Sequence, residues 1–216
     1  MNIDFARQQM VRQQVRAWEV YDSGILSVLQ QVPREQFVPS GFEPIAFADT
    51  EIPIGHGQCM MTPTLEGRLL QSLRLKKSDN VLEIGTGSGF LAACLGRLAK
   101  SVTSIEIFAD FLDSAAASLE DTGIHNVELL SMDATRELPD QQYDAIAVTG
   151  SIPVFDPRLV MALKPTGRLF VVVGKAPVMD ARLVERTGEN DWRSESLFET
   201  ELAPLLNVAE PTAFSF

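Results

Sequence analysis

The chain has 216 residues, 45% of them hydrophobic and 22% charged, with 14 Gly and 12 Pro; this suits one globular unit with a modest extension and excludes a mainly disordered chain. Eighteen Lys and Arg against 29 Asp and Glu leave a net charge of −11, which repels phosphate backbones and argues against nucleic acid as a partner. The two cysteines, Cys59 and Cys94, are too few for a disulfide framework or a metal cluster, and no apolar run reaches membrane-spanning length, so a cytoplasmic protein with no metal and no membrane partner is expected.

Residues 4–19 read as a helix, with Phe5, Met10, Val11, Val15 and Trp18 recurring among polar residues. Asp22 is placed to cap a second helix holding Ile25, Leu26, Val28 and Leu29, ended by Pro33. Residues 33–62 read as irregular, being rich in Pro and Gly, and so long an irregular stretch is usually functional or capping. Thr62-Pro63 then reads as N-cap and first residue of a helix with an apolar stripe of Leu65, Leu69, Leu70 and Leu73. From residue 80 strands and helices alternate. Strands are expected at Val81 to Ile84, Val102 to Ile107, Val127 to Leu130, Tyr143 to Thr149 and Arg168 to Val173, with helices at Phe90 to Leu98 and Phe111 to Leu119. That alternation means βαβ units and a parallel sheet. Two tail strands, Ala181 to Arg186 and Phe198 to Leu205, are expected to pair antiparallel at its edge. The expectation is an α/β, Rossmann-like, doubly wound, mostly parallel sheet with an N-terminal helical cap. Residues 1–77 would form the cap and a substrate and cofactor loop, residues 78–216 the ligand-binding domain, and both one compact unit.

The chemistry centres on Glu83-Ile84-Gly85-Thr86-Gly87-Ser88-Gly89-Phe90. Glycines after a strand allow a sharp turn and close approach of a ligand to the backbone. A tight turn without a ligand also fits. The run is not a phosphate loop, since no Gly-Lys-Ser/Thr follows, and Phe90 stands where a dinucleotide fingerprint has its last Gly or Ala. Glu106 closes the second strand, where a carboxylate can accept from two ribose hydroxyls, and Asp133 follows the third, within reach of an adenine amino group. Glu83, the glycine run, Glu106 and Asp133 together resemble the S-adenosylmethionine-dependent methyltransferases, and a sulfonium zwitterion without phosphate suits an acidic chain. A dinucleotide-dependent oxidoreductase is the competing reading.

Three earlier segments narrow the resemblance. Val32-Pro33-Arg34-Glu35-Gln36-Phe37-Val38-Pro39, Ala46-Phe47-Ala48-Asp49 and Gly55-His56-Gly57-Gln58, with Leu163-Lys164-Pro165-Thr166-Gly167-Arg168-Leu169 later on, resemble the protein-L-isoaspartate O-methyltransferases. The resemblance implies S-adenosylmethionine as cofactor and S-adenosylhomocysteine as product. It also implies methylation of an isoaspartyl carboxylate in a protein or peptide. The cofactor residues it implies are Gln58, Cys59, Met60, Glu83, Gly85, Thr86, Gly87, Ser88, Gly89, Glu106, Ile107, Asp133 and Ala134. Two positions depart from the pattern. Met61 stands where the family has a serine at the methyl-transfer site, with Thr62 one residue late as the alternative, and Glu201 replaces a basic residue of the tail. They leave open a relative that methylates another, small acceptor, or a non-catalytic cofactor-binding protein. His56 is read as a loop residue or a substrate contact, and His125 as exposed. Cys94 reads as core; Met60, Met61 and Trp18 read as either pocket or core.

Overall fold

The computed structural model describes residues 2–209; the last residues of the expected 78–216 segment lie outside them. The N-terminal helix is irregular. It runs as α1 (Ile3–Gln9), widens into a π-helical stretch over Met10–Val15, and ends in a single 3₁₀ turn, Arg16–Trp18. Met10, Val11 and Val15 point inward, whereas Trp18 is exposed and outside the core. Helix α2 (Ser23–Gln31) begins where Asp22 accepts from the amides of Gly24 and Ile25, which satisfies two of the free donors of its first turn.

Residues 33–62 are more ordered than the irregular stretch expected. Two 3₁₀ turns, Arg34–Gln36 and Glu43–Ile45, lead into a hairpin of β1 (Ile52–Gly55) and β2 (Gln58–Met60). Its two-residue turn, His56-Gly57, has φ of 51° and 71°, the left-handed pair that matches strand twist in tight hairpins. Helix α3 (Pro63–Leu73) starts as expected, with Thr62 accepting from the Leu65 amide.

The central sheet has seven strands in the order β5-β4-β3-β6-β7-β8-β9. They are β3 (Asn80–Ile84), β4 (Ser101–Glu106), β5 (Val127–Ser131), β6 (Tyr143–Ile152), β7 (Leu163–Lys175), β8 (Val178–Arg186) and β9 (Trp192–Glu199). The first five are parallel to one another and the last two antiparallel. Helices α4 (Phe90–Leu98) and α5 (Ala109–Asp121) cross over between β3, β4 and β5, and the short α6 (Arg158–Met161) precedes β7. Successive strand residues serve opposite faces. Val81 joins a core shared with Met10, Leu29, Leu70 and Phe90, while Leu82 joins a second core with Ile105, Ile146, Leu159 and Leu169. The N-terminal residues therefore share one apolar core with the sheet.

The last expected strand is displaced. β9 lies at Trp192–Glu199, a largely polar edge strand, whereas Leu202 to Leu205 crosses to the end of β6. There Ser151 donates its amide to the Ala203 carbonyl, accepts from the Leu205 amide and pairs with Pro204. Proline lacks the amide that a continuing ladder needs, so Pro204 fits a short bridge and not a strand interior.

Candidate functional site

Strand order reverses on either side of β3 and β6, the place where open α/β sheets leave a crevice beyond the carboxyl ends of their strands. A cleft lies there. The turn after β3 forms its floor. Gly85 has φ +98°, and a Cβ on it would stand 2.2 Å from Thr149 Oγ1, which donates to the Ile84 and Gly85 carbonyls. Gly89 faces away from the cleft: it caps α4, and a Cβ on it would meet Ala115 of α5 at 2.8 Å.

Glu106 is 7% exposed and braces this floor. Its Oε2 accepts from the Gly87 amide at 3.0 Å, and its Oε1 accepts from the amides of Ile107 and Phe108 at 2.8 and 3.2 Å. Asp133 accepts from the amide and hydroxyl of Thr135 at 2.9 and 2.6 Å and from Asn207 at 3.0 Å. Partial burial pushes its carboxyl up, but these bonds and the neighbouring Arg136 outweigh it and hold it below the usual carboxylate range.

Of the residues singled out in the sequence, Gln58, Cys59, Gly85, Gly87, Glu106, Ile107, Asp133 and Ala134 line this cleft. Met60, Met61, Glu83, Thr86 and Ser88 line a smaller cavity that shares Cys59, Gly85 and Gly87 with it. Gly89 and Thr62 line neither, both being spent on helix caps; the Thr62 hydroxyl meets Thr64 Oγ1 at 3.1 Å, and Thr64 donates to Asp49. Glu201 lines neither cavity. His125 is exposed and Cys94 fully buried.

Several lining residues carried no sequence signal strong enough to name them. Glu51 and Ile54 come from the hairpin side, Phe108 and Phe111 from the start of α5, and Leu202, Ala203 and Leu205 from the tail. The alternation Ile52-Pro53-Ile54 before His-Gly is the signal that could have revealed the hairpin. Arg34 is another. It is completely buried, donates to the Ala46 carbonyl at 2.8 Å and the Met61 carbonyl at 2.6 Å, and is paired with Glu66. One guanidinium thereby ties the loop before α3 to the core, with its face 4.7 Å from the Phe90 ring.

Glu83 lies at the bottom of the smaller cavity. It is fully buried; its Oε2 accepts from the Ser104 hydroxyl, which meets Thr86 Oγ1 at 2.6 Å, and its Oε1 has no partner among the described residues. Burial, with Glu106 and Glu66 nearby, raises its pKa to about 8 against the pull of Ser104. Between the ordinary carboxyl range and about 8 the folded chain thus holds a proton that the unfolded chain has lost, so this group makes stability fall as pH rises. Glu83→Gln is expected to remove that contribution. Melting temperatures from pH 5 to 9 should converge with the wild type at the acid end and exceed it at the alkaline end; parallel profiles would reject the assignment.

The family model of protein-L-isoaspartate(D-aspartate) O-methyltransferase matches residues 6–209. Protein-L-isoaspartate O-methyltransferase 2 of Pelobacter propionicus is 37% identical over 209 residues, covering 96% of this chain and 93% of that protein. The enzyme of Rhodopseudomonas palustris of the same name, without the numeral, is 40% identical over 202 residues, covering 92% of each. A Plasmodium falciparum structure described as a protein-L-isoaspartate O-methyltransferase in complex with S-adenosyl-L-homocysteine superposes with a TM-score of 0.79 at 18% identity, covering 92% of this chain and 97% of that one. At that identity the likeness concerns the fold.

Proposed function

The chain belongs to the protein-L-isoaspartate(D-aspartate) O-methyltransferase family, and from that premise we propose that its cleft carries methyl transfer from S-adenosylmethionine to the carboxylate of an isoaspartyl residue in a protein or peptide. The observation that carries the reading is the convergence of the Gly85–Gly87 turn, Glu106 and Asp133 on one cleft at the reversal of strand order.

The donor set fits this cofactor. Among the described lining residues, the cleft offers the carboxylates Glu51, Glu106 and Asp133 and neither cavity offers Lys, Arg or His, while in the smaller cavity Glu66 is paired with Arg34 and Glu83 is held protonated. Such a lining favours a cationic zwitterion and repels nucleotide phosphates. The unpartnered Oε1 of Glu83, which holds the proton in the ligand-free fold, would become a buried acceptor for an ammonium group once that cation's charge draws the proton off. We assign the ribose to Glu106, the adenine to Ile107, Asp133 and Ala134, and the amino-acid end to Gln58 through Met60, Glu83 and the Gly85–Ser88 turn. The 78–216 segment would then hold the cofactor, and residues up to 77 would cover it and present the acceptor loop.

When bound, S-adenosylmethionine supplies a methyl group activated by the adjoining sulfonium. The protein has little proton chemistry to perform. A substrate carboxylate is already ionised at neutral pH, so no general base is needed. The chain must hold one carboxylate oxygen in line with the methyl carbon and keep water out. Arg34 fixes the loop that would do so, by its bond to the Met61 carbonyl, and Leu202 to Leu205 close the far side.

Methyl transfer from tritiated S-adenosylmethionine to an isoaspartyl peptide, beside its normal aspartyl counterpart, tests the reading. Base-labile label on the isoaspartyl peptide alone is the expected result. Cofactor binding without label on that peptide would instead favour another acceptor.

A further inference from the structure

We propose that His56 is a positioning residue for the cofactor, pinning the tip of the β1–β2 hairpin to the start of α5 and so holding one wall of the larger cleft. The inference rests on the cofactor assignment above and concerns how that site stays closed.

Among the described residues the hairpin forms a two-stranded sheet of its own and pairs with no strand of the central sheet. An isolated hairpin is marginal, so its place is set by what it packs against. Its base is anchored by Ile52 and Met60, both buried. At the tip His56 does the anchoring, although φ +51° is a conformation that residues with a side chain seldom adopt. Its ring stacks on Phe108 with centroids 4.0 Å apart and planes 9° from parallel, and meets Phe111 edge-on at 5.3 Å. Its Nε2 lies 2.9 and 3.1 Å from the two carboxylate oxygens of Asp110, so that nitrogen carries the proton and donates. The contact holds the Asp110 carboxyl below its usual range.

All three partners lie within five residues of Glu106, and two of them, Phe108 and Phe111, line the cleft. Ile54, Gln58 and Cys59, on either side of His56 in the hairpin, line the opposite wall. His56 and Asp110 do not line the cleft, so their bond joins the two walls from outside it, while Phe108 and Phe111 face both the clasp and the cleft. Its strength should appear as a barrier to cofactor escape.

The test compares wild type with His56→Ala, His56→Phe and Asp110→Asn. It reads the dissociation rate of S-adenosylhomocysteine, kcat and KM for S-adenosylmethionine, melting temperature, and amide hydrogen exchange of residues 54–59 in ligand-free protein. His56→Ala should speed dissociation about five- to tenfold and raise KM in proportion, with kcat at saturation within about twofold. Exchange at the hairpin tip should rise while the melting temperature stays near that of the wild type. His56→Phe, which keeps the stack but not the bond, should recover part of the loss, and Asp110→Asn should show a smaller loss. A wild type that binds cofactor, beside a His56→Ala variant with unchanged dissociation, would overturn this inference and leave the cofactor reading standing. A faster dissociation matched by a general loss of stability would overturn it as well, since the role would then be structural. A wild type that does not bind the cofactor would overturn both.

Discussion

Met61→Ser is expected to raise the rate of methyl transfer to an isoaspartyl peptide, and the natural chain to be correspondingly slow. The acceptor carboxylate loses water as the site closes, and the lost bonds need replacement. Met61 offers only a thioether, and it is 6% exposed in the wall of the smaller cavity. The nearest cation, Arg34, is already committed to Glu66 and two carbonyls, so its charge is not free for a substrate. Glu201 supplies no compensating cation either. Restoring one oriented donor at a reacting centre is worth about 2.7–4 kcal/mol in comparable oxyanion sites, or about 10²- to 10³-fold in rate. An opposing effect comes from packing. Met61 belongs to the N-terminal side of the core, and trimming a buried methionine costs about 2–5 kcal/mol of stability. Turnover should therefore be measured at saturating cofactor and well below the melting temperature. An unchanged rate in a folded, cofactor-binding variant would show that loop amides, and not the side chain at 61, hold the acceptor.

The parts of the fold that were legible in the sequence are those where one physical signal dominates. Short runs rich in Val, Leu and Ile alternating with helical segments announced the parallel sheet, and Asp22 and Thr62 marked helix starts because each side-chain oxygen satisfies a first-turn amide. The hairpin was hidden because it is short and lies in a stretch, residues 33–62, that is rich in proline and glycine, although its ladder needs only Ile52, Pro53 and Gly55 opposite Met60, Cys59 and Gln58. β9 was displaced because Trp192–Glu199 is polar on a solvent-facing edge, while the more apolar Leu202 to Leu205 is spent on covering the cleft. Local sequence does not distinguish those two uses of apolar residues.

The candidate site divides in the same way. Glycines and acids at successive strand ends were readable because the parallel topology brings strand ends together, and Gly85, Gly87, Glu106 and Asp133 do share one cleft. Gly89 and Thr62 belong to the same motifs, yet packing on Ala115 and capping of α3 occupy them. Arg34 was visible only as part of a resemblance. Its role depends on Ala46, Met61 and Glu66, all more than ten residues away in the chain.

Glu106→Ala should produce the largest loss of cofactor affinity of any single change in the cleft. The sequence suggested that this carboxylate accepts from two ribose hydroxyls. In the structure Oε1 already accepts two amides, from Ile107 and Phe108, and Oε2 one, from Gly87. A carboxylate oxygen accepts about two such bonds, so Oε2 keeps a place for one hydroxyl. The variant then loses one charge-assisted ribose bond, about 1.5–3 kcal/mol or roughly ten- to a hundredfold in dissociation constant. It also loses the brace between the Gly87 turn and the segment after β4, which are the floor and one wall of the cleft. Calorimetry can separate the two losses. An S-adenosylhomocysteine analogue lacking one ribose hydroxyl should bind the wild type more weakly by the ribose share alone. The same analogue should lose nothing further in Glu106→Ala if that hydroxyl is the partner, and any remaining deficit of the variant measures the brace. Glu106→Gln keeps an acceptor but turns an NH₂ toward an amide on one side, so it should fall between wild type and the alanine variant. Undiminished affinity in Glu106→Ala would remove Glu106 from the site.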